Sequence, residues 1–313
     1  MNKPWNVPYI DLGAQYQALK EPIDEAIGRV MASGRYINGE ETERFEEAMA
    51  RYLGVRHVVS CGNGYDALWM ALKVLRPTPM SCVLTDSYTH VSTHNAIRNA
   101  GLNPVFENHR GITVSVPVHM NGMFNTAALD ENTLVIEDAC QSIGSSFHGK
   151  KAGTVGVMGC FSMHPMKILG CSGDGGFIAT NATEHYLKIR QIRNHGAENG
   201  VNSRLDNLQA AILNVKLPHL DKWIARRRDI AARYEAELPI QVKKPPAPSD
   251  GPYFDTYSSY VIGGSPELLA HMREHRIECF SHIRTDCVSL PIYPEMKEAH
   301  ISLVVDAVRK FYD

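Results

Sequence analysis

The residues with most to offer chemically lie in the stretch FSMHPMKILGCSGDGGFIATN, 161–181, with Lys167 near its centre. An apolar, strand-like run at 156–163 leads into it, a proline and a glycine-rich turn punctuate it, and a second apolar run at 176–180 leads out. A lysine held between two strands is kept out of bulk water. Beside a carbonyl compound, a buried lysine loses its proton more readily and can act as a nucleophile. A lysine taken singly is far more often a solvated surface charge, so the rest of the chain has to supply the reasons.

Three further stretches supply them. HVVSCGNGYDALWMAL sets Gly62, Asn63 and Gly64 between a strand and a helix with Asp66 in its first turn. Backbone N–H groups at a helix N-terminus favour an anion, and glycines let a phosphate come close; the same composition also makes an ordinary strand-to-helix turn. In TLVIEDACQS an apolar run ends on Glu137 and Asp138, at the edge where α/β sheets place ligands. A carboxylate there can keep a pyridine nitrogen protonated, or Asp138 can cap a following helix. DSYTHVSTHNAI starts a helix with Tyr88 and His90, flat side chains able to stack on a planar ring or simply to pack. The four stretches fall on one edge of one sheet, and together they point to pyridoxal 5'-phosphate (PLP) carried on Lys167.

The elements that must position these residues follow from periodicity. Helix-type spacing runs over 11–33 (Leu12, Tyr16, Leu19, Ile23, Ile27, Val30) and again over Glu40 to Leu53. Short apolar runs then alternate with helical patterns. Strands are predicted at 57–60, 82–86 and 104–107, helices at 65–74 and 91–100, and further apolar runs at 112–118 and 133–136. Such alternation predicts an α/β fold with helices on both faces of the sheet. Beyond it come a helix at 184–193, a polar loop at 194–203, and a long helical pattern from Leu205 to Tyr234 broken at Pro218. KKPPAPSDGP, 243–252, has the composition of a linker. The expected domains are therefore a large cofactor-binding one, 1–242, and a small C-terminal α/β one, 253–313, leaning on the first.

Composition narrows the classes. The 313 residues carry a formal charge of −2 with no block of like charge, so a nucleic-acid partner is not expected. No apolar run approaches a membrane span and MNKPWNVPYI has no signal-peptide core, which makes the cytoplasm the default expectation. The 7 scattered cysteines form no CxxC pair and the histidines no metal-ligand spacing, so neither a disulfide framework nor a metal is expected.

Read together, these residues resemble the DegT/DnrJ/EryC1/StrS family of PLP-dependent sugar aminotransferases. The likeness runs through PYIDLGAQY, GRYINGEETERFEEAMARYLGVRHVVSCGNGYDAL, the PVH block, IEDACQSIGSSFHGKKAGTVG, FSMHPMKILGCSGDGG, NSRLDNLQAAILNVKLPHLDKW and SLPIYPEM. It implies the aspartate-aminotransferase-like fold (PLP fold type I), with a mixed, mostly parallel sheet. It implies Lys167 as the Schiff-base lysine, Asp138 as partner of the pyridinium nitrogen and Gln141 near the ring hydroxyl. Gly64 and Tyr65 by their backbone and Ser162 by its hydroxyl would hold the phosphate, with Asn63 a further cofactor-binding residue. Asn202, with Arg204 beside it, would reach in from the second subunit of a homodimer, and His90 would stand where the family usually has a large aromatic over the ring.

The resemblance further implies a two-stage transamination. An amino-acid donor, L-glutamate, leaves its nitrogen on the cofactor as pyridoxamine phosphate, and a nucleotide-linked keto sugar accepts it, with Lys167 as general base and then acid. IDLGAQY and NSRLDNLQAA look more like members that aminate the 3-position of dTDP-linked 3-keto-6-deoxy sugars than like 4-aminating ones. Two other readings stand beside it: a PLP-dependent sugar dehydratase, whose known members replace the lysine with histidine, and a non-catalytic relative that only binds a ligand. The chain also departs from the family. Tyr65 replaces a smaller residue, the connections 108–112 and 121–133 are cut back, and after His282 the chain goes almost directly to SLPIYPEM. The cofactor machinery is intact where the substrate side is trimmed.

Overall fold

Residues 5–313 are described by the computed structural model, apart from 76, 79, 109, 130, 131, 197–199, 282 and 284. Of the trimmed connections, His109, Asp130, Glu131 and His282 therefore lie outside the described residues. The helical spacing over 11–33 resolves into two helices, α1 (Leu12–Ala18) and α2 (Lys20–Ser33). Pro22 is the physical reason: it has no N–H to return to the Ala18 carbonyl, and its ring would crowd that carbonyl in a continuous helix. The apolar period runs through the break unchanged, which is why the spacing conceals it. α3 (Glu40–Leu53) matches its expected bounds and stops at Gly54, whose φ of 73° is the left-handed C-terminal turn that glycine adopts without penalty.

The chain then enters the sheet. β1 (His57–Cys61), α4 (Gly64–Leu75), β2 (Cys82–Thr85), α5 (Val91–Asn99) and β3 (Asn103–Val105) are followed by β4 (Val114–Val116) and β5 (Leu134–Asp138). A two-stranded ribbon, β6 (Ser146–Phe147) and β7 (Lys150–Lys151), precedes β8 (Met158–Ser162) and β9 (Gly176–Thr180). The 7-stranded order is β1-β9-β8-β5-β4-β2-β3. β9 pairs antiparallel with both β1 and β8, while β8, β5, β4, β2 and β3 run parallel. The parallel strands and β1 thus end at one edge, and β9 starts there.

Helices cover both faces because the strands alternate. Phe161 and Phe177 point into one core with Phe45 and Leu213, and Cys160 and Ile178 into the other with Leu68 and Met70. Phe161 and Phe177 stack with centroids 4.4 Å apart, tying β8 to β9 at the base of the loop that carries Lys167.

After the sheet come α6 (Thr183–Ile192), α7 (Asn207–Lys216) and α8 (Leu220–Glu237), the last two separated by one tight turn at Leu217–His219 that contains Pro218. β10 (Tyr253–Phe254) pairs back onto β6. β11 (Tyr260–Gly263), α9 (Pro266–Glu274), β12 (Phe280–Ser281), β13 (Cys287–Leu290) and α10 (Glu298–Tyr312) finish the chain. Their core is shared with earlier segments: Val7, Ile230, Tyr234 and Leu238 pack with Ile262, Met272 and Val304. Among the described residues no helix is long and apolar enough to cross a membrane.

Candidate active site

Strand ends deliver the chemistry to one edge. Lys167 sits in the loop between β8 and β9, closed at its base by Met163, whose N–H donates to Gly175 O (2.7 Å) and whose carbonyl accepts from Cys171 N (2.9 Å). Inside it, Lys167 N donates to His164 O at 2.8 Å. Desolvation pushes the Lys167 ammonium below the ordinary lysine range, against the opposing pull of Cys140 and Asp138. Burial drives the Cys140 thiol well above its usual value, so it stays protonated at neutral pH and supplies no charge. Asp138 is left as the anion that opposes the shift.

The two carboxylates that end β5 part ways because successive side chains of a strand point to opposite faces. Glu137, wholly buried, accepts from His119 Nε2 (2.8 Å) and from the N–H groups of Gly153 (2.8 Å), Val155 (2.6 Å) and Gly156 (2.7 Å). His119 Nδ1 accepts from Asn125 N at 2.9 Å, which places the ring proton on Nε2. Glu137 is spent on structure. Asp138 faces the site: Oδ2 accepts from Thr93 Oγ1 (2.7 Å) and Oδ1 from Cys140 N (3.2 Å). No helix follows it, so the capping alternative for Asp138 does not hold.

α4 begins where β1 stops. Asn63 caps it, Oδ1 accepting from Asp66 N at 2.8 Å. The first N–H groups of the helix, from Gly64 and Tyr65, have no acceptor within it. A Cβ on Gly64 would stand 2.7 Å from Cys140 Sγ and 2.8 Å from Ser162 Cβ, so only glycine permits this approach of α4 to β8 and to the turn that follows β5. The Tyr65 hydroxyl accepts from Asn99 Nδ2 at 2.5 Å, which ties its bulk to the end of α5. His90 caps α5, its Nδ1 accepting from Ser92 N (3.3 Å), and also borders the site.

These groups surround one cavity of about 400 Å³, lined by Lys167, Asp138, Gln141, Ser162, Asn63, Gly64, Tyr65 and His90, a size ordinary for small-molecule sites. Eight of the nine expected residues meet there. Asn202 does not: it is exposed on the loop before α7, next to Ser203, whose hydroxyl bonds Asp66 (2.6 Å) behind the helix start. Tyr88 is not among the lining residues either. A second cavity, about 410 Å³, opens elsewhere among α3, β1 and α6 and includes none of the expected residues. The sequence reading missed Thr93, Cys140, His164 and Asp174, all on the lining. Thr93 lies one helical turn beyond His90, a spacing that could have signalled it.

The residues present fit PLP: a desolvated amine, a buried carboxylate held by two donors, and a helix start with glycine at its closest approach. Thr93→Val tests the support of Asp138. Removing the hydroxyl from a buried carboxylate costs about 1–3 kcal/mol, seen as a lower denaturation midpoint and weaker PLP binding, with Thr93→Ser close to the native protein. A Val variant indistinguishable from native in both would remove Thr93 from the site.

The chain matches the DegT/DnrJ/EryC1/StrS aminotransferase family over residues 17–120 and 107–279. It is 34% identical to a pleiotropic regulatory protein of Geobacillus stearothermophilus, with 98% of this chain and 99% of that protein covered. It is 31% identical to dTDP-3-amino-3,4,6-trideoxy-alpha-D-glucose transaminase of Streptomyces venezuelae, covering 97% of this chain and 96% of the relative. That alignment spans 366 positions against the 313 residues of this chain, so the relative carries segments that this chain lacks. A solved DegT DnrJ EryC1 StrS aminotransferase from Brucella abortus superposes with a TM-score of 0.90 at 30% identity, covering 97% of this chain and 98% of that one.

Proposed function

Since this chain belongs to the DegT/DnrJ/EryC1/StrS aminotransferase family, a family of PLP-dependent transaminases, we propose that it moves an amino group from L-glutamate to a nucleotide-linked keto sugar. Its architecture is PLP fold type I. One observation carries the reading: the desolvated Lys167 amine and the donor-held Asp138 carboxylate face the same cavity. When bound, PLP supplies an aldehyde that an amine can engage and a ring that drains electron density from the reacting carbon.

This chain's own residues divide the work. Gly64 and Tyr65 offer backbone N–H groups and Ser162 its hydroxyl to the phosphate, in a turn that Asn63 shapes. Asp138 would hold a proton on the ring nitrogen, Gln141 would serve the ring hydroxyl, and His90 would offer its flat side chain to the ring. Nζ of Lys167, kept neutral more easily by desolvation, takes a proton from the α-carbon of the donor and returns it later as an acid. Asn202, exposed and outside its own cavity, is read as reaching the phosphate of a partner subunit, which makes the working form a homodimer. We read 1–242 as the cofactor-binding domain and 253–313 as a small domain that shares its core with α8.

The acceptor is read as a dTDP-linked 3-keto-6-deoxyhexose, supported by likeness to a relative named for a dTDP-3-amino sugar. The test is transfer of labelled nitrogen from glutamate to a panel of dTDP- and UDP-linked 3-keto and 4-keto sugars. Label at C-3 of a dTDP product is expected. Label only at C-4, or only on UDP sugars, overturns the finer assignment. PLP-loaded protein that labels no nucleotide sugar overturns the function. A monomer that binds PLP tightly contradicts the role given to Asn202.

A further inference from the structure

We propose that Lys216 is a positioning residue for Lys167: its buried side chain holds the far end of the loop that presents the Lys167 amine to the cavity. The inference rests on the functional reading of Lys167 above.

Lys216 is the last residue of α7, and only 5% of its surface is exposed. Its Nζ donates to the Gly170 carbonyl at 2.7 Å, a bond between segments 46 residues apart. Lysine is rarely buried to this degree, because its charge must leave water. Desolvation accordingly holds the Lys216 ammonium below the usual lysine range; of the two groups set against it, Cys171 and Glu295, the Cys171 thiol is raised by burial to about 11 and is neutral near pH 7. A methionine would fill the same volume without that cost. What the lysine adds is a donor, and the donor is used on the loop that carries Lys167.

Lys216 does not act alone. Gln209, two turns earlier on α7 and so on the same face, accepts from Ser172 N at 2.8 Å. The helix thus grips the loop on both sides of Cys171, whose thiol donates to Met163 O at 2.9 Å. Just before these grips the chain doubles back so tightly that a Cβ on Gly170 would lie 2.4 Å from Pro165 O. Lys167 sits inside that fold-back. α7 is itself a firm support, since Asn207 N donates to Tyr36 O (2.8 Å) and Asn207 Oδ1 accepts from Thr42 N (3.1 Å).

The test compares Lys216→Met, which keeps the stem and removes the donor, with Lys216→Arg, which restores one. The readout is the fraction of bound PLP that borohydride fixes to the chain, measured on folded protein at saturating PLP. Lys216→Met should lower the ratio of fixed to unfixed PLP about five-fold, on the scale of one lost buried hydrogen bond, and Lys216→Arg should recover most of it. In the cofactor-free chain, exchange of the Lys167 and Cys171 amides should speed up by about the same factor, while the β1 amides stay unchanged. A folded Lys216→Met variant with native fixation and native exchange overturns the proposal. If that variant does not fold, Lys216→Gln is measured in its place: a reduced fraction supports the proposal and a native one overturns it. Failure of both to fold assigns Lys216 to the fold itself and also overturns it. If borohydride fixes no PLP even in the native protein, the functional reading of Lys167 fails instead.

Discussion

Lys167→Ala should give a folded protein whose nitrogen transfer from glutamate is slower by about 10²–10⁴-fold, the usual contribution of a positioned acid–base group. The loss should fall on kcat, because the phosphate cradle at Gly64, Tyr65 and Ser162 is untouched. Added methylamine should restore part of the rate by supplying a base. A variant within a few-fold of native activity would take Lys167 out of the chemistry. The same lysine makes a separate prediction for the cofactor-free protein. Its ammonium is held below its unfolded value by desolvation, so the unfolded chain binds more protons and native stability rises with pH through the folded pKa toward about 10.4. Lys167→Met, which keeps the stem, should therefore be at least as stable as native near neutral pH, and the difference should close as the pH is raised. Thermal denaturation of the two cofactor-free proteins across that range measures it.

Asp138→Asn should be nearly as damaging and differently so. An amide presents one acceptor where the carboxylate meets two donors, Thr93 Oγ1 and Cys140 N, and it carries no charge to hold a ring proton. Activity should fall by about 10²–10³-fold, the scale of removing one preorganised electrostatic partner. PLP should still bind, and borohydride should still fix it to the chain, because Lys167 remains. The spectrum separates the cases: the variant's chromophore should lose the native pH response. An Asn variant with native turnover would leave Asp138 only a structural acceptor.

Much of this site was legible because strand ends are legible. Asp138 closes an apolar run, Lys167 lies between two, and Gly64 follows a third, so the sheet edge could be drawn before any coordinate. The choice between Glu137 and Asp138 came from the family likeness alone, since both close the same apolar run. It depends on which face of β5 each side chain takes and on donors from Gly153, Val155 and Gly156, which the fold brings back to the strand. The break between α1 and α2 was hidden for the opposite reason: the apolar period survives it, and only Pro22 betrays it. Lys216 carries no signal of its own in the sequence. Its burial is a property of α7 packed against the loop, and no local spacing encodes it.

The central claim is tested most directly by reducing the PLP-loaded protein with borohydride and mapping the modified peptide by mass. The added cofactor mass should sit on the peptide containing Lys167 and nowhere else. Attachment at another lysine, Lys216 included, or no attachment in a protein that binds PLP, would contradict it.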